Sequence, residues 1–249
     1  MSKLISKDTS SIKNSAIKGI VFDMDYTLIY PGLEFDEVFE KFFGVPHHAV
    51  SDKWLGAIYN NPLDKGYEVI MRSFPNINIS EAQAKAVSFA IEWAKVHNIY
   101  PGCIEFLRAL KANSGYKLGL LTNGPSDFQR SIIDFLDIGK YFDVIVVSGD
   151  VGVRKPEPEI FKITAKKMQL PPEFLFMVGD ALEKEIVPAL ESGWGAIWIK
   201  PSTEQVANNT NNQKNIEEVN LQNLLENSYS MPTEPLTIGW SDIKIESNF

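Results

Sequence analysis

The chain has 249 residues, 44% of them hydrophobic and 22% charged, which is ample apolar material for one large domain or two modest ones. A net charge of -8 and a pI near 5.0 argue against general binding to nucleic acid or anionic membrane, though not against a local pocket for a small anion. A single cysteine, Cys103, excludes an internal disulfide and suits a reducing compartment; no apolar run approaches the ~20 residues of a membrane helix.

Residues 1–17 are polar and rich in Ser and Lys, without the apolar centre of a signal peptide, so a disordered leader on a cytoplasmic protein is expected. Five short apolar runs follow: Gly19–Phe22, Lys117–Leu121, Val144–Val147, Phe174–Val178 and Ala196–Ile199. Helical patterns at Asp127–Leu136, Glu157–Met168 and Glu183–Glu191 separate the later four. Strands alternating with helices of this length predict an α/β fold, a doubly wound parallel sheet covered on both faces.

The first and second strands are separated by something different. Residues 31–99 lack strand alternation and carry helical patterns starting near Phe35, His47, Leu63 and Ser80. In the last of these, Ala82, Ala86, Phe89, Ala90, Trp93 and His97 fall on one face. Pro31-Gly32 and Tyr100-Pro101-Gly102 punctuate the ends, so a small all-helical domain inserted after the first strand is expected. A helix over Ile104–Lys111 then returns the chain to the sheet, and the core is assigned to 18–30 and 100–230. The Asn-rich stretch 201–215 reads as a mobile loop, Ile216–Leu225 as a closing helix, and the tail 231–249 has no legible role. His47, His48 and His97 make no convincing zinc set with one cysteine. The glycosylation-like triplets at Asn78 and Asn208 read as chance.

In an open parallel sheet, ligands bind beyond the carboxyl ends of the strands. The residues there are Asp23, Asp25 and Thr27; Thr122-Asn123-Gly124; Arg154-Lys155-Pro156; and Gly179-Asp180, with Glu183 and Glu185 beyond. One Asp after a strand is ordinarily a turn or a cap, and one Lys is ordinarily on the surface. Their joint occurrence, in strand order, points instead to a site. Carboxylates beside a hydroxyl, backbone N–H groups and a lysine suit Mg²⁺ together with a phosphoryl group.

The segments Asp23-Met24-Asp25-Tyr26-Thr27-Leu28, Leu121-Thr122-Asn123-Gly124, Lys155-Pro156-Glu157-Pro158 and Val178-Gly179-Asp180 resemble, in order, the four motifs of the haloacid dehalogenase-like hydrolase superfamily. The resemblance spans roughly residues 18–225 and implies a Rossmann-like core with a helical cap at 31–99. It implies Asp23 as the nucleophile that becomes an aspartyl-phosphate, and Asp25 as general acid and then base. Thr122, Asn123 and Lys155 would hold the phosphoryl group, while Asp23, Asp180 and the Asp25 carbonyl would bind Mg²⁺. The implied activity is Mg²⁺-dependent hydrolysis of a small phosphorylated metabolite. A phosphomutase or a non-catalytic phosphate-binding scaffold are the alternatives; a halide-releasing enzyme needs neither Asp25 nor a metal. Lys53 and Arg72 are candidate cap contacts, and oligomeric state is not legible.

Two residues depart from the family pattern. Tyr26 stands where glycine is frequent, so that loop need not have a residue at positive φ. Glu185 stands where a second aspartate often follows, and its added methylene is expected to be tolerated behind the metal or Lys155.

Overall fold

A computed structural model describes residues 17–49, 65–112 and 115–199, with short strands at 219–220, 236–238 and 243–244. Strand β1 (Gly19–Phe22) is buried along its whole length. Its alternate residues feed opposite cores: Ile20 and Phe22 join Phe106, Leu107 and Ile132 on one face, whereas Val21 joins Ile160, Phe161 and Trp194 on the other. A strand covered on both faces cannot alternate apolar with polar, which is why it reads as a continuous apolar run.

The helical insert has strands at its root. Strand β2 (Ile29–Pro31) carries the chain out of the core and β3 (His97–Ile99) brings it back, paired antiparallel with Tyr30 opposite Asn98. Three residues each are too few to show alternation, so 31–99 is less purely helical than expected. Between them lie α1 (Phe35–Phe43), a 3₁₀ turn at His47–Ala49, α2 (Gly66–Ser73) and α3 (Ile79–Lys95). Residues 50–64, including Lys53, lie outside the described residues. Asn78 caps α3 by accepting from the Glu81 N–H at 2.9 Å. His97 lies beyond that helix, in β3, where its Nδ1 is 2.8 Å from the Trp93 carbonyl.

After α4 (Cys103–Ala112) come β4 (Lys117–Thr122), α5 (Ser126–Phe135), β5 (Val144–Val147), the short α6 (Ser148–Val151), α7 (Pro158–Met168), β6 (Leu175–Gly179), α8 (Val187–Glu191) and β7 (Gly195–Ile199). Further on, β8 (Val219–Asn220), β9 (Leu236–Ile238) and β10 (Ile243–Lys244) are described. The sheet order is β5-β4-β1-β6-β7-β9, with every pairing parallel. The tail therefore supplies an edge strand. Val219–Asn220 pairs with Ile243–Lys244 where a helix was expected; the rest of 216–225 lies outside the described residues. No helix among the described residues is long and apolar enough to cross a membrane.

Candidate active site

Strand β1 sits in the middle of the sheet, and its ladder continues one residue past Phe22, where the Asp23 N–H donates to the Val178 carbonyl at 2.9 Å. That bond fixes the Asp23 carboxylate at the carboxyl rim of the sheet. The buried Lys155 ammonium donates to Asp23 Oδ1, to Glu185 Oε1 at 2.7 Å and to the Leu121 carbonyl at 3.0 Å. All three of its protons thus have acceptors. Burial alone would lower the Lys155 pKa, but the charges of Asp23 and Glu185 override it and hold the ammonium protonated.

Asp180 follows β6, with Oδ1 accepting from Thr27 Oγ1 at 3.2 Å and its carbonyl from the Trp198 indole N–H at 2.7 Å. Oxygens of Asp23, Asp180 and Glu185 lie within 4.8 Å of one another, making a group that could hold a metal ion. Burial and then the charge of Asp23 push Asp180 up to about 6, and the same causes push Glu185 above the usual carboxylate range. Three carboxylates around one lysine leave negative charge uncompensated. An all-oxygen donor set without His or Cys suits a hard cation such as Mg²⁺, so the residues present fit the expected ion.

Glu185 reaches this cluster through two local devices. Leu182–Ile186 forms a single π-helical turn, entered by an α-type bond from the Glu185 N–H to the carbonyl of the preceding Ala181 at 2.9 Å. Gly179 then makes room, since a Cβ there would stand 2.1 Å from Glu185 Oε2. The added methylene expected to be tolerated is accommodated by that missing side chain, and the carboxylate lies within the acidic cluster as well as against Lys155. Glu183 faces solvent.

Asp25 points away from the three-acid group. Its Oδ2 accepts from Gln129 Nε2 at 2.8 Å and from Thr122 Oγ1 at 3.3 Å. Burial and then the nearby Asp23 charge raise it to about 6. Among the described residues, Asp25 is outside the group of acids that could hold a metal ion. The Asn123 side chain is engaged twice with the backbone of Lys155, its Nδ2 donating to the carbonyl and its Oδ1 accepting from the N–H, both at 2.9 Å. Asn123 therefore places the lysine. The Gly124 N–H goes to Ser148 Oγ at 2.9 Å rather than facing a ligand. Arg72 is exposed in the last turn of α2.

The loop after Asp25 does hold a residue at positive φ, without a glycine. Tyr26 has φ 61°, a left-handed conformation that costs a non-glycine residue about 1 kcal/mol or more. The turn demands it: the Leu28 and Ile29 N–H groups both return to the Met24 carbonyl, and the Tyr26 N–H donates to Ile29 at 2.7 Å. Those bonds hold Thr27 inside, fully buried, and leave Tyr26 half exposed.

Gln129 is the residue the sequence reading missed. It lies on the stripe of α5 formed by Phe128, Ile132 and Ile133 and is only 6% exposed. A glutamine on an otherwise apolar buried stripe was the available signal.

A profile of the haloacid dehalogenase-like hydrolases matches residues 17–193. A glyceraldehyde 3-phosphate phosphatase of Methanocaldococcus jannaschii is 31% identical over 201 residues, which is 71% of this chain and 82% of that protein. A HAD phosphatase of Thermococcus onnurineus, solved by crystallography, aligns with TM-score 0.55 and 25% identity over 75% of this chain and 87% of its own. A 2-haloacid dehalogenase of Pseudomonas syringae aligns with TM-score 0.58 at 21% identity over 74% of this chain and 86% of its own, a likeness of fold alone. With the four strand-end motifs gathered on one rim and a family match over most of its length, the chain belongs to the haloacid dehalogenase-like hydrolases.

Proposed function

We propose that this hydrolase is a Mg²⁺-dependent phosphatase of a small phosphorylated metabolite, working through an aspartyl-phosphate at Asp23. The observation that carries the reading is the division of acids at the rim: Asp23 sits with Lys155, Asp180 and Glu185, while Asp25 is held apart by Thr122 and Gln129. A halide-releasing enzyme has no use for that separate second acid. The phosphatases and the dehalogenase share the fold, so the fold alone cannot distinguish them.

Asp23 attacks phosphorus, Asp25 gives its proton to the leaving alcohol, and Asp25 then takes a proton from the attacking water. Lys155, set by Asn123 and Glu185, balances charge on the phosphoryl oxygens as that group passes from the substrate to Asp23 and then to water. Mg²⁺, held by Asp23, Asp180 and the Asp25 carbonyl, would supply the positive charge that lets a carboxylate approach a phosphate dianion.

The cap supports a small substrate. Its Phe89 meets Phe128 of core helix α5 at 5.6 Å between ring centres, so the insert packs on the helix that follows β4, in keeping with a small substrate. The reading places the enzyme in the reducing cytoplasm, in keeping with the free, buried Cys103. Phosphate release from a panel of sugar, nucleoside and carboxylic-acid phosphates tests it. Activity should vanish in chelator, return with Mg²⁺ and stay low with Ca²⁺, whose longer bonds and higher coordination number misplace Asp23. Full activity in chelator would overturn the reading.

A further inference from the structure

The amide of Gln129 is the donor around which the second acid is arranged. Its Nε2 lies 2.8 Å from Asp25 Oδ2, 2.7 Å from Thr122 Oγ1 and 2.9 Å from the Asn123 carbonyl. Three acceptors around one nitrogen settle the orientation of the amide, because turning it over would set its oxygen against a carboxylate and a carbonyl. The Thr122 hydroxyl accepts from Gln129 and donates onward to Asp25 Oδ2. Among the described residues, both hydrogen bonds to the Asp25 side chain thus end on the same oxygen.

We infer that Gln129 is a positioning residue for Asp25: with Thr122 it anchors Oδ2 and turns Oδ1 toward the leaving oxygen of the substrate. The inference rests on the phosphatase reading, in which Asp25 moves that proton.

The helix that carries the amide is also held by the cap. Two residues before Gln129, Asp127 accepts from the Gly66 N–H at the start of α2, at 2.9 and 3.0 Å through its two oxygens. Phe128 is buried in the cap's own apolar cluster with Phe39, Val69, Ile70 and Phe89. Gly66 allows this approach, since a Cβ there would stand 2.4 Å from the Phe128 ring. Three consecutive residues therefore face, in turn, the cap backbone, the cap core and the acid. Docking of the cap pins the turn from which Gln129 reaches Asp25.

The test compares an alkyl phosphate with an aryl phosphate such as p-nitrophenyl phosphate in wild type, Gln129→Met and Asp25→Asn. Methionine keeps the length of the side chain and removes the donor. An alkoxide needs the proton and p-nitrophenolate does not, so loss of aim penalises phosphorylation of Asp23 only with the first, whereas the later attack of water is common to both. Gln129→Met should therefore lower kcat/KM, which reports the first step, roughly tenfold or more on the alkyl ester, within the ~10²–10⁴ that a positioned acid supplies, with a much smaller loss in kcat/KM on the aryl ester. Gln129→Asn, which keeps a donor on a shorter arm, should show the same selectivity even if the methionine variant folds poorly. Equal losses on both esters, tracking a lower unfolding temperature, would reduce Gln129 to a packing residue and overturn the inference. If Asp25→Asn discriminates between the esters and neither Gln129 variant does, the phosphatase reading stands and the inference falls. A wild type inactive on both esters overturns the phosphatase reading itself.

Discussion

The carboxyl rim of the sheet and the cap above it are built from opposite materials. At the rim, Asp23, Lys155 and Glu185 are buried charges, each held by named hydrogen bonds. In the cap, Phe35, Phe39, Phe42, Phe43, Phe74 and Phe89 pack ring against ring, with Trp93 beside Phe35 at 5.1 Å. Buried charge tolerates almost no substitution, because leaving one partner unpaired costs several kcal/mol. Aromatic packing tolerates exchanges of similar volume at modest cost. The rim thus carries specific chemical information, and the helical insert carries mainly shape.

The largest effect should come from Asp23→Asn. Turnover is expected to disappear while folding survives, since the change is nearly isosteric. In chelator the variant should unfold near the wild-type temperature, because Lys155 loses one carboxylate but keeps Glu185, and the charge that presses on Asp25, Asp180 and Glu185 is relieved. Phosphate-release assays with thermal melts read both quantities; retention of substantial turnover would remove Asp23 from the reaction.

Gly179→Ala sharpens the contrast from within the rim. The new Cβ would displace the Glu185 carboxylate and loosen Lys155, costing about 1–3 kcal/mol of stability by overpacking and at least roughly tenfold in kcat. Adding Glu185→Asp shortens the displaced side chain and should restore much of the loss. Full activity in the single variant would show that Glu185 does not set Lys155.

Asp127→Ala probes the seam between the regions and should be milder. It removes the acceptor for the first amide of α2, worth about 1 kcal/mol by analogy with helix caps. A few-fold fall in kcat/KM is expected, with a small drop in the unfolding temperature. No change in either would show that the contact does not hold the cap.

How much of this was legible in the sequence differs between the same two regions. The rim was readable because strand ends must lie together in a parallel sheet, so Asp23, Thr122, Lys155 and Asp180 could be gathered before any coordinates. The reach of Glu185 was not, since it depends on a π-helical turn and on a Cβ absent six residues earlier. Gln129 escaped because its role depends on which way one helix face turns, and a single polar residue does not reveal that. The positive φ of Tyr26 was not legible because the hydrogen bonds to Met24 set it, not the residue type. In the cap, the helices of α1 and α3 were found by periodicity. The strands β2 and β3, three residues each, were too short to show any period.

The central claim is that Asp23 carries the phosphoryl group in turnover. It is tested most directly by mixing the enzyme with Mg²⁺ and an activated aryl phosphate, quenching in acid within milliseconds and mapping the peptides by mass. In Asp25→Asn, which lacks the base for the second step, the predicted result is one phosphoryl group on the peptide containing Asp23, formed in a burst and absent in Asp23→Asn. Wild-type turnover with no acyl phosphate at Asp23 in either wild type or Asp25→Asn would contradict the account.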